Sequence, residues 1–352
     1  MADRSVASIH PLTSQVGGHK GIQTSDDGAL LIKPALPHEL QFYHDSLADP
    51  ALASLRQWIP TYFGTLRLEG QKTADGLANV EGIPEGEKDE CSAIRSYCTQ
   101  LLVIENAAHG FLKPNILDIK LGTDLYEEDA SPEKKERMQN TARRTTSGDT
   151  GIRLTGFQVF GNTTSLPVIF PKNYGKTIGV SELGAGIARF FPISGSTIGL
   201  PGAEAGGRMD VGLPRALLLP VLKSIRKSVQ EIRDAMSVIE MRMVGGSLLI
   251  VYEGDWDRAE MGVQWLAKQA ASDGGGRESE GATEEDSEED SESGDESDDE
   301  HSGGSKPPCV VKVIDFAHVR LKAGEGPDRG VLKGLDTVLS LLDGRITDCM
   351  TS

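Results

Sequence analysis

The chain has 352 residues, 38% of them apolar and 5% aromatic, with a formal net charge of −17. That length supports one large domain or two lobes with buried cores, and the balance is globular with some disordered sequence mixed in. Fourteen acidic residues and no Lys or Arg lie between Glu278 and Glu300; taking those fourteen from −17 leaves −3, which excludes any argument about partners from the charge of the whole chain.

Residues 1–27 are polar, and Val16 to Gly21 reads as a turn. Ala29 to Lys33 predicts a strand ending at Pro34, and Pro37 to Tyr43 begins a helix with proline in its first turn. Thr61 to Leu68 predicts a strand, 69–90 a loop, and Leu101 to Glu105 a buried strand ahead of a polar turn. Asn115 to Leu121 predicts another strand. At Ser131-Pro132-Glu133 an N-cap, an N1 proline and an acid at the positive helix end start a helix running towards Thr141. Gly151 to Gly161 predicts a strand, and the Gly- and Pro-rich stretch 192–212 a flexible loop. Apolar residues from Leu217 to Ile239 recur at helical spacing and predict one long amphipathic helix. Gly246 to Glu253 predicts a strand, Asp257 to Ala271 a helix, Cys309 to Phe316 a buried strand and Gly330 to Leu342 a final helix. The Ser/Gly/Glu stretch 272–306 has too little apolar surface to fold alone. Two β-containing regions joined near Glu105–Asn106 predict a two-lobed α+β protein, 1–105 and 106–352, with 272–306 an acidic insert in the second lobe and the cleft between the lobes.

The four cysteines form no C-x-x-C pair, which suits a reducing compartment and argues against a disulfide scaffold or zinc site. No signal-peptide core opens the chain, and the longest apolar runs are strand-sized, so a soluble intracellular protein is expected.

Pro114-Asn115-Ile116-Leu117-Asp118-Ile119-Lys120-Leu121-Gly122 carries the first chemical pattern. On a strand Leu117, Ile119 and Leu121 face a core, leaving Asp118 and Lys120 together on the other face. A carboxylate and an ammonium on an apolar strand are costly unless they meet a ligand or each other. Phosphoryl transfer needs such a pair, and a structural ion pair would use it equally well. Asp315, at the end of the apolar run Val311 to Ile314 and followed by Phe316, suits a Mg²⁺ ligand or a turn cap. Lys33 and Glu39 suit a phosphate-reaching pair or a surface ion pair. Lys134, Lys135 and Arg137, with Arg143 and Arg144, suit a polyanion or a solvated helix face.

Gly175-Lys176-Thr177 lacks the glycine five positions earlier that a Walker loop requires, since Phe170 stands there. The His-Arg-Asp and Asp-Phe-Gly signatures of protein kinases are absent. Direct nucleic-acid binding has no support beyond the basic helix and is not expected.

Taken in order, these segments resemble the inositol polyphosphate kinase family. Pro114-x-x-x-Asp118-x-Lys120-x-Gly122 is similar to its P-x-x-x-D-x-K-x-G signature, Gly246-Ser247-Leu248-Leu249 to its S-S-L-L segment and Ile314-Asp315-Phe316 to its I-D-F segment. Ala130 to Lys134 and Thr145 to Gly148 add to the likeness, which runs from about Gln15 to Leu342 outside the acidic stretch. The short length is most like the multikinase branch, and the acidic stretch resembles that of fungal members.

The resemblance implies a kinase-like fold with a β-rich nucleotide lobe, ATP and Mg²⁺ as cofactors, and inositol trisphosphate converted to tetrakis- and pentakisphosphates. Hexakisphosphate kinase and trisphosphate 3-kinase activities are the alternatives. A phosphoinositide headgroup is a second substrate to expect. It implies Lys33 on ATP phosphates with Glu39 behind it, backbone groups of Glu105 and Ala107 on adenine, and Asp118 at the ribose or the reacting centre. Lys120 would lie on the substrate and the transferring phosphoryl, Ser247 near the nucleotide phosphates, Asp315 on Mg²⁺, and Lys134 and His318 on substrate. Gln158 departs from the pattern, because members usually carry a basic residue two positions after the glycine matching Gly156. A monomer in nucleus and cytoplasm is expected. A role from another class is a scaffold, in which 278–300 binds basic transcription factors and its serines accept phosphate from an acidophilic kinase.

Overall fold

The computed structural model describes residues 9–12, 21–67, 100–199, 208–274 and 306–351. Three strands, β1 (Ile9–Pro11), β2 (Gln23–Ser25) and β3 (Leu30–Pro34), precede helix α1 (Pro37–Ala48). With β4 (Tyr62–Arg67) and β5 (Gln100–Glu105) they form an antiparallel sheet in the order β1-β2-β3-β5-β4.

After the hinge that follows Glu105 come β6 (Pro114–Leu121), α2 (Pro132–Arg144), α3 (Ser147–Thr150), β7 (Ile152–Phe160) and β8 (Pro167–Phe170). Two short helices, α4 (Tyr174–Thr177) and α5 (Leu183–Phe190), lead to the hairpin of β9 (Ser196–Gly199) and β10 (Arg208–Val211). Helix α6 (Arg215–Ser237) is followed by β11 (Met241–Met243), β12 (Ser247–Glu253) and α7 (Trp256–Gly274). Strands β13 (Cys309–Ile314) and β14 (Val319–Leu321) and helix α8 (Arg329–Thr351) are the last of the described elements. The second sheet is antiparallel in the order β13-β12-β6-β7-β8, and β11 pairs with β14 apart from it.

Period-2 alternation builds this sheet. Leu117, Ile119 and Leu121, with Leu248, Ile250, Tyr252, Val311 and Val313, are buried on one face, under α6 and α8. The opposite face carries the polar residues of the site. The same core continues into the first lobe through Phe42 and Tyr43 of α1. The Phe42 ring stacks on Phe316, just after β13, at 4.1 Å and 14°, and Tyr43 meets Phe316 edge-on at 5.6 Å. Such ring pairs contribute about 0.5–1.5 kcal/mol each beyond area burial.

Differences from the sequence expectations have local causes. The stretch 192–212, expected as a flexible loop, contains the β9–β10 hairpin, because Ile198 and Val211 reach the core and outweigh its Gly and Pro content. Helix α8 continues to Thr351, extending its buried stripe through Ile346 and Cys349. Strand β8 and helices α4 and α5 have no counterpart among the expected elements, being too short to establish a period. The expected loop 69–90 lies outside the described residues, as does most of the turn at Val16–Gly21 and of the acidic stretch 272–306. Among the described residues no helix is long and apolar enough to cross a membrane.

Two glycines fix the end of β6. Gly122 (φ +101°) donates its N–H to the carbonyl of Gly151 (φ +71°) at 2.8 Å. A Cβ on Gly151 would stand 2.6 Å from the backbone nitrogen of Gly334, where α8 crosses backbone to backbone. Gly151→Ala is therefore expected to lower the unfolding free energy by about 2–4 kcal/mol, combining left-handed strain with overpacking. Denaturant unfolding checks this, and a stability at or above that of the wild type would contradict the close approach.

Candidate active site

Strand β6 carries Asp118 and Lys120 on the face opposite the core. A bulge between Asp118 and Ile119 shifts the register against β7 there. Asp118 is buried (2% exposed), and one of its oxygens, Oδ1, has no hydrogen-bond partner. Lys120 Nζ donates to Asp315 Oδ2 at 2.7 Å and to the Gly245 carbonyl at 2.6 Å. The fully buried Ser247 stands directly across from Lys120 on one side and Ile314 on the other, so β12 ties the two motifs together.

Asp315 sits in the left-handed region at φ +68°, an uncommon conformation for a residue with a side chain. The buried Phe316 ring anchors it on one side and the β13 ladder on the other, so the turn is over-determined. Its carboxylate lies between two ammonium groups, Lys120 at 2.7 Å and Lys33 at 3.6 Å. Lys33 also meets Glu39 Oε1 of α1 at 2.7 Å. The Lys33–Glu39 pair is largely buried, with side chains 13% and 4% exposed, and is not a surface ion pair.

Burial pulls the Lys33 pKa down, but Glu39 and Asp315 outweigh it and hold the group above its ordinary value. For Lys120 burial again opposes the charge, and Asp315 and Asp118 raise the net value. Asp118 behaves in the opposite way. Burial pushes its carboxyl up, Lys120 pulls it down, Asp315 pushes it up again, and the sum is a raised pKa.

Towards the hinge the same face becomes apolar. By register Ile116, Leu249, Val251 and Ile314 share it, and Leu249 and Ile314 are half-buried. Ala108 and Phe111, just past the hinge, pack on Ile116 and Val251. The Glu105 carboxylate accepts from Thr61 N–H at 3.0 Å and Thr61 Oγ1 at 3.1 Å, and meets Lys312 Nζ at 3.2 Å. Lys312, on β13, also donates to the carbonyls of Gln57 and Ile59 in the first lobe. Asn106 is fixed by bonds to the Ala29 and Gly28 carbonyls, and Ala107 is buried beside it.

On the far side, Lys134 lies in the first turn of α2, whose cap Ser131 accepts from the Lys134 N–H at 3.2 Å. His318 Nδ1 is 3.0 Å from Glu127 Oε2. Gln158 is fully buried and donates to the Pro114 carbonyl at 2.9 Å, bracing the start of β6. Arg153, which stands across from Lys120 on β7, is missing from the sequence reading. Its guanidinium is partly desolvated, interacts electrostatically with Asp118, and has a buried nitrogen with no hydrogen-bond partner. A lone Arg in the apolar run Ile152–Phe160 was the signal available for it. Lys312, Leu249 and Ile314 were also missed, because a strand lysine and two core-like residues carry no motif.

A two-lobed fold with a buried Lys–Glu pair in the first lobe, a hinge, and a Lys–Asp cluster at the end of an apolar sheet face defines a kinase-like phosphotransferase. A family model described as inositol polyphosphate kinase matches residues 101–343. The inositol polyphosphate multikinase of Saccharomyces cerevisiae is 34% identical over 364 residues, covering 96% of this chain and 98% of that protein. The corresponding Schizosaccharomyces pombe protein is 31% identical over half of this chain and 61% of its own length. Inositol hexakisphosphate kinase 1 of Rattus norvegicus is 27% identical over 69% of this chain and 51% of that protein. The crystal structure of the S. cerevisiae inositol phosphate multikinase in complex with ADP and Mn²⁺ superposes with a TM-score of 0.56 at 27% identity, covering 91% of this chain and all of that one. The chain belongs to the inositol polyphosphate kinase family.

The buried Asp118 yields a pH prediction. Its folded pKa is raised, so the native state binds this proton more tightly than the unfolded chain, and stability falls as pH rises from the ordinary carboxylate range through the raised value. Asp118→Asn removes that penalty. The variant should melt a few degrees above wild type at neutral pH, with the gap closing as the buffer is taken down to about pH 4. A lower melting temperature at neutral pH would contradict the desolvation argument.

Proposed function

We propose that this kinase uses ATP and Mg²⁺ to phosphorylate inositol trisphosphate, giving tetrakis- and pentakisphosphates. The observation that carries the reading is the Asp315 carboxylate held between Lys33 and Lys120 at the end of an apolar sheet face. In this reading backbone groups of Glu105 and Ala107 hold adenine over Leu249 and Ile314. Lys33, oriented by Glu39, reaches the nucleotide phosphates, with Ser247 nearby.

The donor set fits a hard divalent cation. Among the described residues no three His, Cys, Asp or Glu side chains converge as a closed metal cage. Mg²⁺ favours instead one or two carboxylates completed by nucleotide phosphates and water. Asp315 would supply such a carboxylate, and the Asp118 oxygen that has no hydrogen-bond partner lies on the same side of the sheet. Bound there, the ion would neutralise phosphate charge.

The protein's own groups supply the rest. Lys120 stabilises the charge on the transferring phosphoryl group, and Asp118 orients the attacking inositol hydroxyl for in-line transfer without a covalent phospho-enzyme. Lys134, His318 and Arg153 hold substrate phosphates. The likeness to the S. cerevisiae multikinase over nearly the whole chain supports more than one phosphorylation step. A phosphoinositide headgroup presents the same phosphorylated ring and is a second substrate of this reading.

The test is to incubate the protein with ATP, Mg²⁺ and inositol trisphosphate and to separate the products. Wild type should form tetrakis- and pentakisphosphate, and Asp315→Ala should lose at least about 100-fold in turnover. Equal activity of the two would overturn the metal assignment, and no conversion by wild type would overturn the substrate.

A further inference from the structure

Helix α2 carries the proposed substrate lysine, yet none of its residues is buried. Its packing is limited to half-buried residues such as Met138, Thr141 and Ala142, the last of these against Gly148, so polar contacts carry much of the placement of its first turns. The turn before it supplies them. Lys135 Nζ donates to the Glu128 carbonyl at 2.6 Å, and Gln139 Nε2 to Tyr126 Oη at 3.0 Å, binding α2 to the segment 126–130.

The same turn is bound on its other side to β14 and the residue before it. Glu127 places one oxygen 3.0 Å from His318 Nδ1 and accepts from Arg320 with the other, also at 3.0 Å. Arg320 donates to Asp129 at 3.0 Å, and Lys322 to Glu128 at 2.9 Å. Arg320 stands directly across from Arg242 in the β11–β14 register, and like charges so placed are unfavourable. Stability of that two-stranded sheet does not explain an arginine there; the two carboxylates it grips do.

We propose that Glu127 is a positioning residue for the substrate. By holding His318 and Arg320 on its two oxygens it locks the β13–β14 turn to the base of α2. His318 and Lys134, which come from separate elements, are thereby set as one phosphate-binding unit. A carboxylate on one imidazole nitrogen fixes the ring and leaves the other nitrogen directed elsewhere, as in outer shells of metal and catalytic sites. This inference rests on the substrate roles of Lys134 and His318 proposed above.

Glu127 is half-buried and the side chains of its partners His318 and Arg320 are exposed, so the effect of these pairs on stability is small. Steady-state kinetics on the full chain separate orientation from stability. Glu127→Gln should raise the KM for inositol trisphosphate about tenfold, with kcat and the KM for ATP unchanged. Its melting temperature should stay within about 2 °C of wild type. Arg320→Gln should behave alike, Arg320→Lys should restore most of the affinity, and the double Gln variant should be no worse than the poorer single one. An unaltered KM for inositol trisphosphate in Glu127→Gln would overturn the proposal. So would a parallel rise of both KM values with a falling melting temperature, which marks a merely structural role. Absence of turnover in wild type would overturn the substrate reading itself, and the lock with it.

Discussion

The site depends on one carboxylate held in an unusual backbone conformation. Asp315 occupies the left-handed region because β13 fixes the chain before it and the Phe316 ring, stacked on Phe42, fixes the chain after it. That single constraint brings Lys120 of the second lobe and Lys33 of the first within reach of the same side chain. The aromatic stack that anchors the turn is also a contact between the lobes, so the charged cluster and the lobe junction are one piece of structure.

The remainder of the cleft face follows from strand alternation. Residues on one side of β6, β12 and β13 build the core, and those on the other give an apolar floor that ends in charge. Burial there opposes ionisation of Asp118, while at the two lysines the carboxylates packed against them outweigh the burial that opposes their charge.

Much of this was legible in the amino-acid sequence, for physical reasons. The alternation in Asn115 to Leu121 placed Asp118 and Lys120 on one face, and Ser131-Pro132-Glu133 marked the start of α2. Lys33 and Glu39 stood out as a strand lysine followed by a helix glutamate, and they do pair. What escaped notice depends on long-range geometry. Lys312 reads as an ordinary strand lysine until the fold brings Gln57, Ile59 and Glu105 to it, and Arg153 gains meaning only from the register that sets it across from Lys120. Gln158 departs from the family pattern in the sequence, and its use as a brace for the Pro114 carbonyl depends on the register of β7 against β6. The hairpin in 192–212 was hidden because its Gly and Pro content masks two residues that reach the core.

The contacts of Lys312 have a mechanical consequence. Through this lysine the second sheet grips Glu105 and two carbonyls of the first lobe, and through Phe316 it grips α1. Lys312 lies at the hinge side and Phe316 beside Asp315, so the stretch that carries both is held against the first lobe at each of its ends. Tethering at two separated places resists sliding as well as separation, and the spacing between Lys33 and Asp315 is set by both.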